Sequence, residues 1–251
     1  MRFPKAPRRV FFLVTLIAAA TLAEPAAAQD ISINLGGPGG GGVTERAIQL
    51  IALLTVLSIA PSILVMMTSF TRIVVVLSLL RTAMGTSTAP PNSVIIALAM
   101  FLTAFVMGPI LQKSYDEGVR PLIANQISVE DGLQRASVPL RGFMQKNVRE
   151  KDLKLFMDLS GEPPPATPEE LSLRILVPAF MISELRRAFE IGFLLFLPFL
   201  IIDLVVASVL MSMGMMMLPP VVVSLPFKLI FFVLVDGWSL VAGSLVQSYG
   251  G

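Results

Sequence analysis

Four stretches of this chain, at 48–67, 94–111, 190–210 and 221–246, are apolar over about the length that crosses a bilayer. Most soluble folds are excluded by this alone, because a helix apolar on every side has no face to turn to water. Hydrophobic residues make up 55% of the 251 and charged residues only 14%, against roughly 25% in soluble domains. Backbone in lipid must satisfy its own hydrogen bonds, so helices are the expected form. The expected fold is an all-α membrane protein.

The ends of the chain read differently. Arg2, Lys5, Arg8 and Arg9 precede an apolar run over 10–23 and the small residues Ala26, Ala27 and Ala28. That order is a cleavable signal peptide over 1–28, cut between Ala28 and Gln29. Without those residues, which also include Glu24, the 19 basic and 17 acidic side chains become 15 and 16. No basic surface for nucleic acid remains to be argued from. A Gly-rich flexible tether follows over 29–43, then N-terminal apolar helices over 44–111. Residues 112–174 hold 19 of the chain's 36 charges, both signs interspersed, as on a water-facing helical insert. Within it 146–157 reads as one helix carrying a Glu150–Lys154 pair and ended by Gly161 with the prolines after it, and Thr167 with Pro168 as the start of another. C-terminal apolar helical hairpins fill 175–251, with apolar runs over 175–181 and 188–218 before the Pro219–Pro220 turn.

Enzyme chemistry finds little to stand on. The chain has no cysteine and no histidine, which removes thiolate nucleophiles, Cys/His metal sites and the commonest general base. No nucleotide motif is present. No catalytic residue, metal or cofactor is expected.

Seven charges do lie within or beside apolar runs: Glu184, Arg186, Arg187, Glu190, Asp203, Lys228 and Asp236. In lipid each would cost about 2–3 kcal/mol or more, so each must face protein or water. Glu184 with Arg187 and Arg186 with Glu190 are within reach on one helix. Asp203, Lys228 and Asp236 need partners from another helix or another copy, and a Glu184–Lys228 pair is the favoured one. Arg72 and Arg81 bracket an apolar run over 73–80 and read as inner-side charges of a four-span topology, which would leave the mature N-terminus and the 112–174 insert outside. Ser93 or Asn92 reads as the cap of the next helix.

Five of the 14 methionines fall in Met211-Ser-Met-Gly-Met-Met-Met217, ahead of Pro219 and Pro220, which read as stopping the preceding helix. Thioether side chains are apolar and flexible. Such a cluster at a turn is either ordinary packing or a deformable seal.

Several of these motifs together resemble the FliP family of flagellar type III export-gate subunits. The matching stretches are Thr68-Ser-Phe-Thr-Arg-Ile-Val-Val-Val-Leu77, Phe180-Met-Ile-Ser-Glu-Leu-Arg-Arg-Ala-Phe-Glu-Ile-Gly-Phe193, the methionine stretch, Leu225-Pro-Phe-Lys-Leu229 and Val235-Asp-Gly-Trp238. The resemblance implies helical hairpins assembling into an oligomeric channel in the bacterial inner membrane, at the flagellar basal body. It implies a homopentamer joined by FliQ and FliR and by other flagellar export apparatus proteins, through which unfolded flagellar proteins pass. Met215, Met216 and Met217 would form a gasket sealing the closed channel. Glu184 and Lys228 would make a subunit contact, and Asp203 would be a sensitive acidic position. The competing reading is a small-solute or ion transporter using the intramembrane Asp and Lys residues. It predicts inverted repeats, and no convincing repeat is visible.

Overall fold

The computed structural model of the chain describes residues 43–86, 88–161, 167, 171–215 and 217–250. The expected signal peptide with its Ala28–Gln29 cut, most of the tether, the 168–170 helix start and Met216 lie outside the described residues. The chain divides into two units, Met1–Leu53 and Leu54–Gly251. The described part of the first is the opening of helix α1 (Val43–Met66), where Ile48, Leu50 and Ile51 are exposed.

The second unit holds the rest of α1, then α2 (Phe70–Ala83), α3 (Asn92–Ser114), a π-helical turn (Tyr115–Val119), α4 (Arg120–Ile123), α5 (Val129–Asn147), α6 (Glu150–Ser160), α7 (Leu173–Ser212), α8 (Pro220–Leu234) and α9 (Gly237–Gly250). Among the described residues there is no strand.

Its centre is α2, which contains the short apolar run over 73–80. Ile73, Val76, Leu77, Leu80 and Ala83 recur at helical spacing and are buried against α3 and α7. The approach to α7 is close enough that a Cβ on Gly192 would stand 2.3 Å from Leu79 Cδ1. Bridging α2 to α3, Arg81 donates to Asn92 Oδ1 at 2.5 Å and to the Pro90 carbonyl at 3.3 Å. Asn92 is therefore not the cap of α3. Pro91 takes that place without a side-chain bond, and the Asn92 amide oxygen serves Arg81 instead.

Helix α7 joins pieces that the sequence reading kept apart. The expected runs over 175–181 and 188–218 and the charged interval between them form one helix of 40 residues, with Pro178 and Pro198 inside it. Ser172 caps its start, its Oγ accepting from the Arg174 amide. At 1.5 Å per residue it is about 60 Å long, twice the roughly 30 Å of bilayer hydrocarbon. From Leu173 to Gly192 one face is buried, through Ile175, Leu176, Ala179, Phe180, Glu184 and Ala188, while Ile182 and Phe189 are exposed. Beyond that, Phe199 and Leu210 are its buried residues.

The stop of α7 comes from Gly214 rather than the prolines. Gly214 sits at φ +73, its amide donating to Met211 O and the Met215 amide to Leu210 O. This is a Schellman ending, which needs a left-handed residue and so favours glycine. Pro219 and Pro220 instead open α8, as N-cap and first helical residue, where a missing N–H leaves no helical bond unmade.

The stretch 221–246 is not one straight span. α8 and α9 meet at 62°, with Asp236 in the left-handed region at φ +49. Gly237 is required there, since a Cβ would lie 2.1 Å from the Phe232 ring. Two helical segments, Asn92–Ile123 and Leu173–Ser212, are long and apolar enough to cross a membrane, and the bent pair makes a third if counted as one. The described residues carry two such helices or three, and one of them is far too long for a simple crossing; the expected crossing at 48–67 includes side chains outside the described residues.

Within 112–174 the expected helix over 146–157 breaks at Val148 and Arg149, both extended. Its Glu150–Lys154 pair is replaced by contacts of Arg149. Gly161 ends α6 at φ +66, as a C-terminal glycine does. α5 and α6 do not only face water. Leu140, Phe143, Met144 and Asp152 are buried, and both helices pack on α7.

Candidate functional site

Three features carry the polar and reactive groups: a buried charge cluster at the packed half of α7, a second ion pair at the α7–α8 hairpin, and the methionine loop at the hairpin's tip.

In the first, Arg72 of α2 meets Glu184 of α7 through two bonds, Nε to Oε2 at 3.0 Å and Nη2 to Oε1 at 2.5 Å. Both side chains are fully buried. A forked guanidinium matches a carboxylate in this geometry, and burial without such pairing would be prohibitive. The cluster extends into α9. Arg72 Nη1 donates to Ser248 Oγ at 3.0 Å, and its Cζ lies 3.9 Å over the Tyr249 ring. Tyr249 donates its hydroxyl to Glu184 Oε2. Phe143 of α5 stacks on the Tyr249 ring at 5.7 Å, so three helices meet at one buried carboxylate and a fourth packs on the tyrosine.

The second pair joins Lys228 of α8 to Asp203 of α7 at 2.7 Å, with side-chain exposures of 4% and 24%. Ser224 donates to the other Asp203 oxygen at 2.5 Å. Lys228 also lies 3.4 Å from the carbonyl of Ala83, the last residue of α2. A cation suits that position, where the final carbonyls of a helix carry partial negative charge.

These contacts correct the expected pairing. Within the chain Glu184 and Lys228 do not meet. Glu184 is taken by Arg72 and Tyr249, and Lys228 by Asp203. Arg72, expected as an inner-side surface charge, is the largest fully buried side chain. Nor do Glu184–Arg187 and Arg186–Glu190 form ion pairs. Glu190 reaches Arg149 of the insert at 3.5 Å and is 60% exposed, while Arg187 is half-buried. Asp236 is exposed and belongs to the α8–α9 bend. Of the residues expected as buried charges, only Asp203 gains a strong partner inside the chain.

Sequence reasoning missed Arg72, Ser183, Ser224, Asp152 and Tyr249. Ser183 Oγ donates to Asp152 Oδ2 at 2.7 Å and accepts from the Arg149 amide at 3.0 Å, fixing the α5–α6 junction on α7. One signal was legible. An arginine one residue before a β-branched run is as well placed for a core ion pair as for a membrane surface.

The methionine loop is a different environment. Met213, Met215, Met217 and Leu218 are exposed, Met217 to 99%. No charged residue occurs between Asp203 and Lys228. Behind the tip, α7 and α8 leave an open apolar groove of about 470 Å³, lined by Ile201, Val205, Val209, Val223 and Phe227 among others. By contrast Met67, Met84, Met107 and Met144 are buried. Among the described residues no group of acidic side chains is arranged to hold a metal ion.

The family profile of the FliP family matches residues 53–245. The chain is similar to the flagellar biosynthetic protein FliP of Caulobacter vibrioides, 60% identical over 245 residues that cover 96% of this chain and 91% of the relative. The protein of the same name from Pectobacterium carotovorum is 56% identical over 212 residues, covering 84% and 82%. That of Bacillus subtilis is 54% identical over 205 residues, covering 82% and 93%.

Proposed function

Because the chain belongs to the FliP family of flagellar biosynthetic proteins, components of the flagellar export apparatus, we propose that it is a pore-forming core subunit of the flagellar export gate. It passes unfolded flagellar proteins across the bacterial inner membrane, and it acts by forming a conduit rather than by catalysis. Met215, Met216 and Met217 form the gasket of the closed channel. The observation that supports this reading is the clustering of exposed methionines, with no charged residue among them, at the tip of a hairpin. A ring of such loops would exclude water and ions by dewetting, and thioethers would yield around a passing chain of any sequence.

A conduit needs several copies, and the open apolar groove of the α7–α8 hairpin favours assembly. The proposed assembly is a homopentamer joined by FliQ and FliR, with the mature chain starting at Gln29 and the 112–174 insert on the periplasmic side. A Glu184–Lys228 contact between subunits would require both to exchange their present partners. Rescue of assembly by reversing both charges, where either reversal alone abolishes it, tests that exchange.

The deciding experiment replaces Met215, Met216 and Met217 together by alanine in the complex with its neighbouring membrane subunits. Assembly by native mass spectrometry should be unchanged and ion conductance of the closed gate should rise. Unchanged conductance in an intact complex removes the gasket.

A further inference from the structure

We propose that the methionine loop is an oxidation site through which peroxide reversibly opens the seal, an inference that rests on the sealing role given above. The chain has no cysteine, so its thioethers are its sulfur centres and the first side chains a peroxide would attack. Their exposure varies widely. Met213, Met215 and Met217 stand exposed together on a loop, Met66, Met100 and Met211 are exposed on helices, and Met107 and Met144 are fully buried, with Met84 nearly so.

The oxidation needs only the peroxide, and the return needs a thiol-dependent reductase. A sulfur lone pair of the thioether attacks one peroxide oxygen and the O–O bond breaks. The new S–O bond makes a sulfoxide, and the departing hydroxide takes a proton to leave as water. The sulfur has lost two electrons to the peroxide. A sulfoxide reductase, spending two thiols that become a disulfide, returns the thioether.

The consequence follows from the composition of the tip. Met213, Gly214, Met215, Met217 and Leu218 present no charge and no side-chain hydrogen-bonding group. Dewetting depends on that uniform apolarity. Each sulfoxide brings a strong dipole and an acceptor oxygen to the place where water must be excluded. Several copies around one axis would multiply the change. An apolar side chain that cannot be oxidised would seal equally well and be blind to peroxide. The loop therefore couples the tightness of the gate to the oxidant outside it.

The test uses the complete gate complex in lipid nanodiscs or planar bilayers, treated with hydrogen peroxide. Peptide mass mapping should find the loop methionines oxidised at least about ten-fold faster than Met107 and Met144, as exposure dictates. Conductance of the closed gate should rise after treatment and fall again after incubation with a methionine sulfoxide reductase. The variant with Met213→Leu, Met215→Leu, Met216→Leu and Met217→Leu should stay tight with or without peroxide. Equal oxidation of loop and core, or an oxidised loop with unchanged conductance, overturns the proposal. In that second case a leak from Met215→Ala with Met217→Ala, untreated, shows that the seal itself stands. If neither alanine nor peroxide alters conductance, the sealing role falls and the oxidation switch with it.

Discussion

The two halves of α7 differ in charge, with five charged side chains from Leu173 to Gly192 and only Asp203 from 193 to Ser212, and they live in different surroundings. From Leu173 to Gly192 the helix packs one face on α2, α5 and α6, leaves Ile182 and Phe189 exposed, and holds a fully buried ion pair. From 193 to Ser212 it pairs with α8, exposes Phe193, Ile201, Leu204 and Val205, and holds a pair that water still reaches. One half buries a continuous face within its own chain. The other is left for something else to cover, whether lipid or protein. A hydrophobic helix does not by itself say which, because both solvents accept the same side chains.

The sharpest test of that contrast is to remove one partner from each ion pair. Glu184→Ala strands the buried Arg72 and should cost about 3–5 kcal/mol, read as thermal unfolding of the purified chain in detergent. Replacing both members, with Arg72→Met and Glu184→Leu, should recover most of that loss. A single-variant loss under about 1 kcal/mol would place the pair in the surface class and erase the contrast. At the other end, Asp203→Ala leaves Lys228 mostly buried but near water and the Ala83 carbonyl. Its expected cost is about 1–3 kcal/mol, between the surface and the buried classes. A loss as large as that of Glu184→Ala would show the two halves to be equally dry.

Gly214→Ala probes the end of the open half. A Cβ in the left-handed region costs about 1 kcal/mol, so a modest fall in melting temperature is expected, with a frayed tip seen by hydrogen exchange at Met213 and Met215. Smallest of all is Glu190→Ala. Its pair with Arg149 is exposed, and the change should stay within about 0.5 kcal/mol. A larger effect would mean that the insert is held to α7 chiefly by this rim contact rather than by Ser183 and the buried Asp152.

The class of the fold was legible from the apolar runs, because a long uniformly apolar stretch has few ways to satisfy its backbone. Helix ends were legible where local chemistry decides them, as at Gly161. They were misread where a partner from elsewhere decides. Asn92 is spent on Arg81, and the prolines that follow the methionine loop begin a helix rather than end one. The ion pairs were the least legible part. Arg72 and Glu184 lie 112 positions apart, and nothing local in a sequence distinguishes an arginine aimed at a buried carboxylate from one aimed at a lipid headgroup. The methionine loop stood out in the sequence because its composition is unusual over seven residues, and its exposure is a property of the fold alone.

Pro198 adds a mechanical consequence to the length of α7. A proline there leaves the Leu194 carbonyl without its usual helical donor, so the helix has a compliant joint a few residues into its open half. Before that joint the rod packs on three neighbours. Beyond it, the arm carries Asp203, is tied to α8 through Lys228 and Ser224, and ends at Gly214. Any small swing at the joint is magnified along the roughly 20 Å that separate Pro198 from the methionines, so the tip sweeps an arc that the clamped half never feels. The same lever runs in reverse: a body pushing through the loops would load the joint first and leave the buried carboxylate at rest.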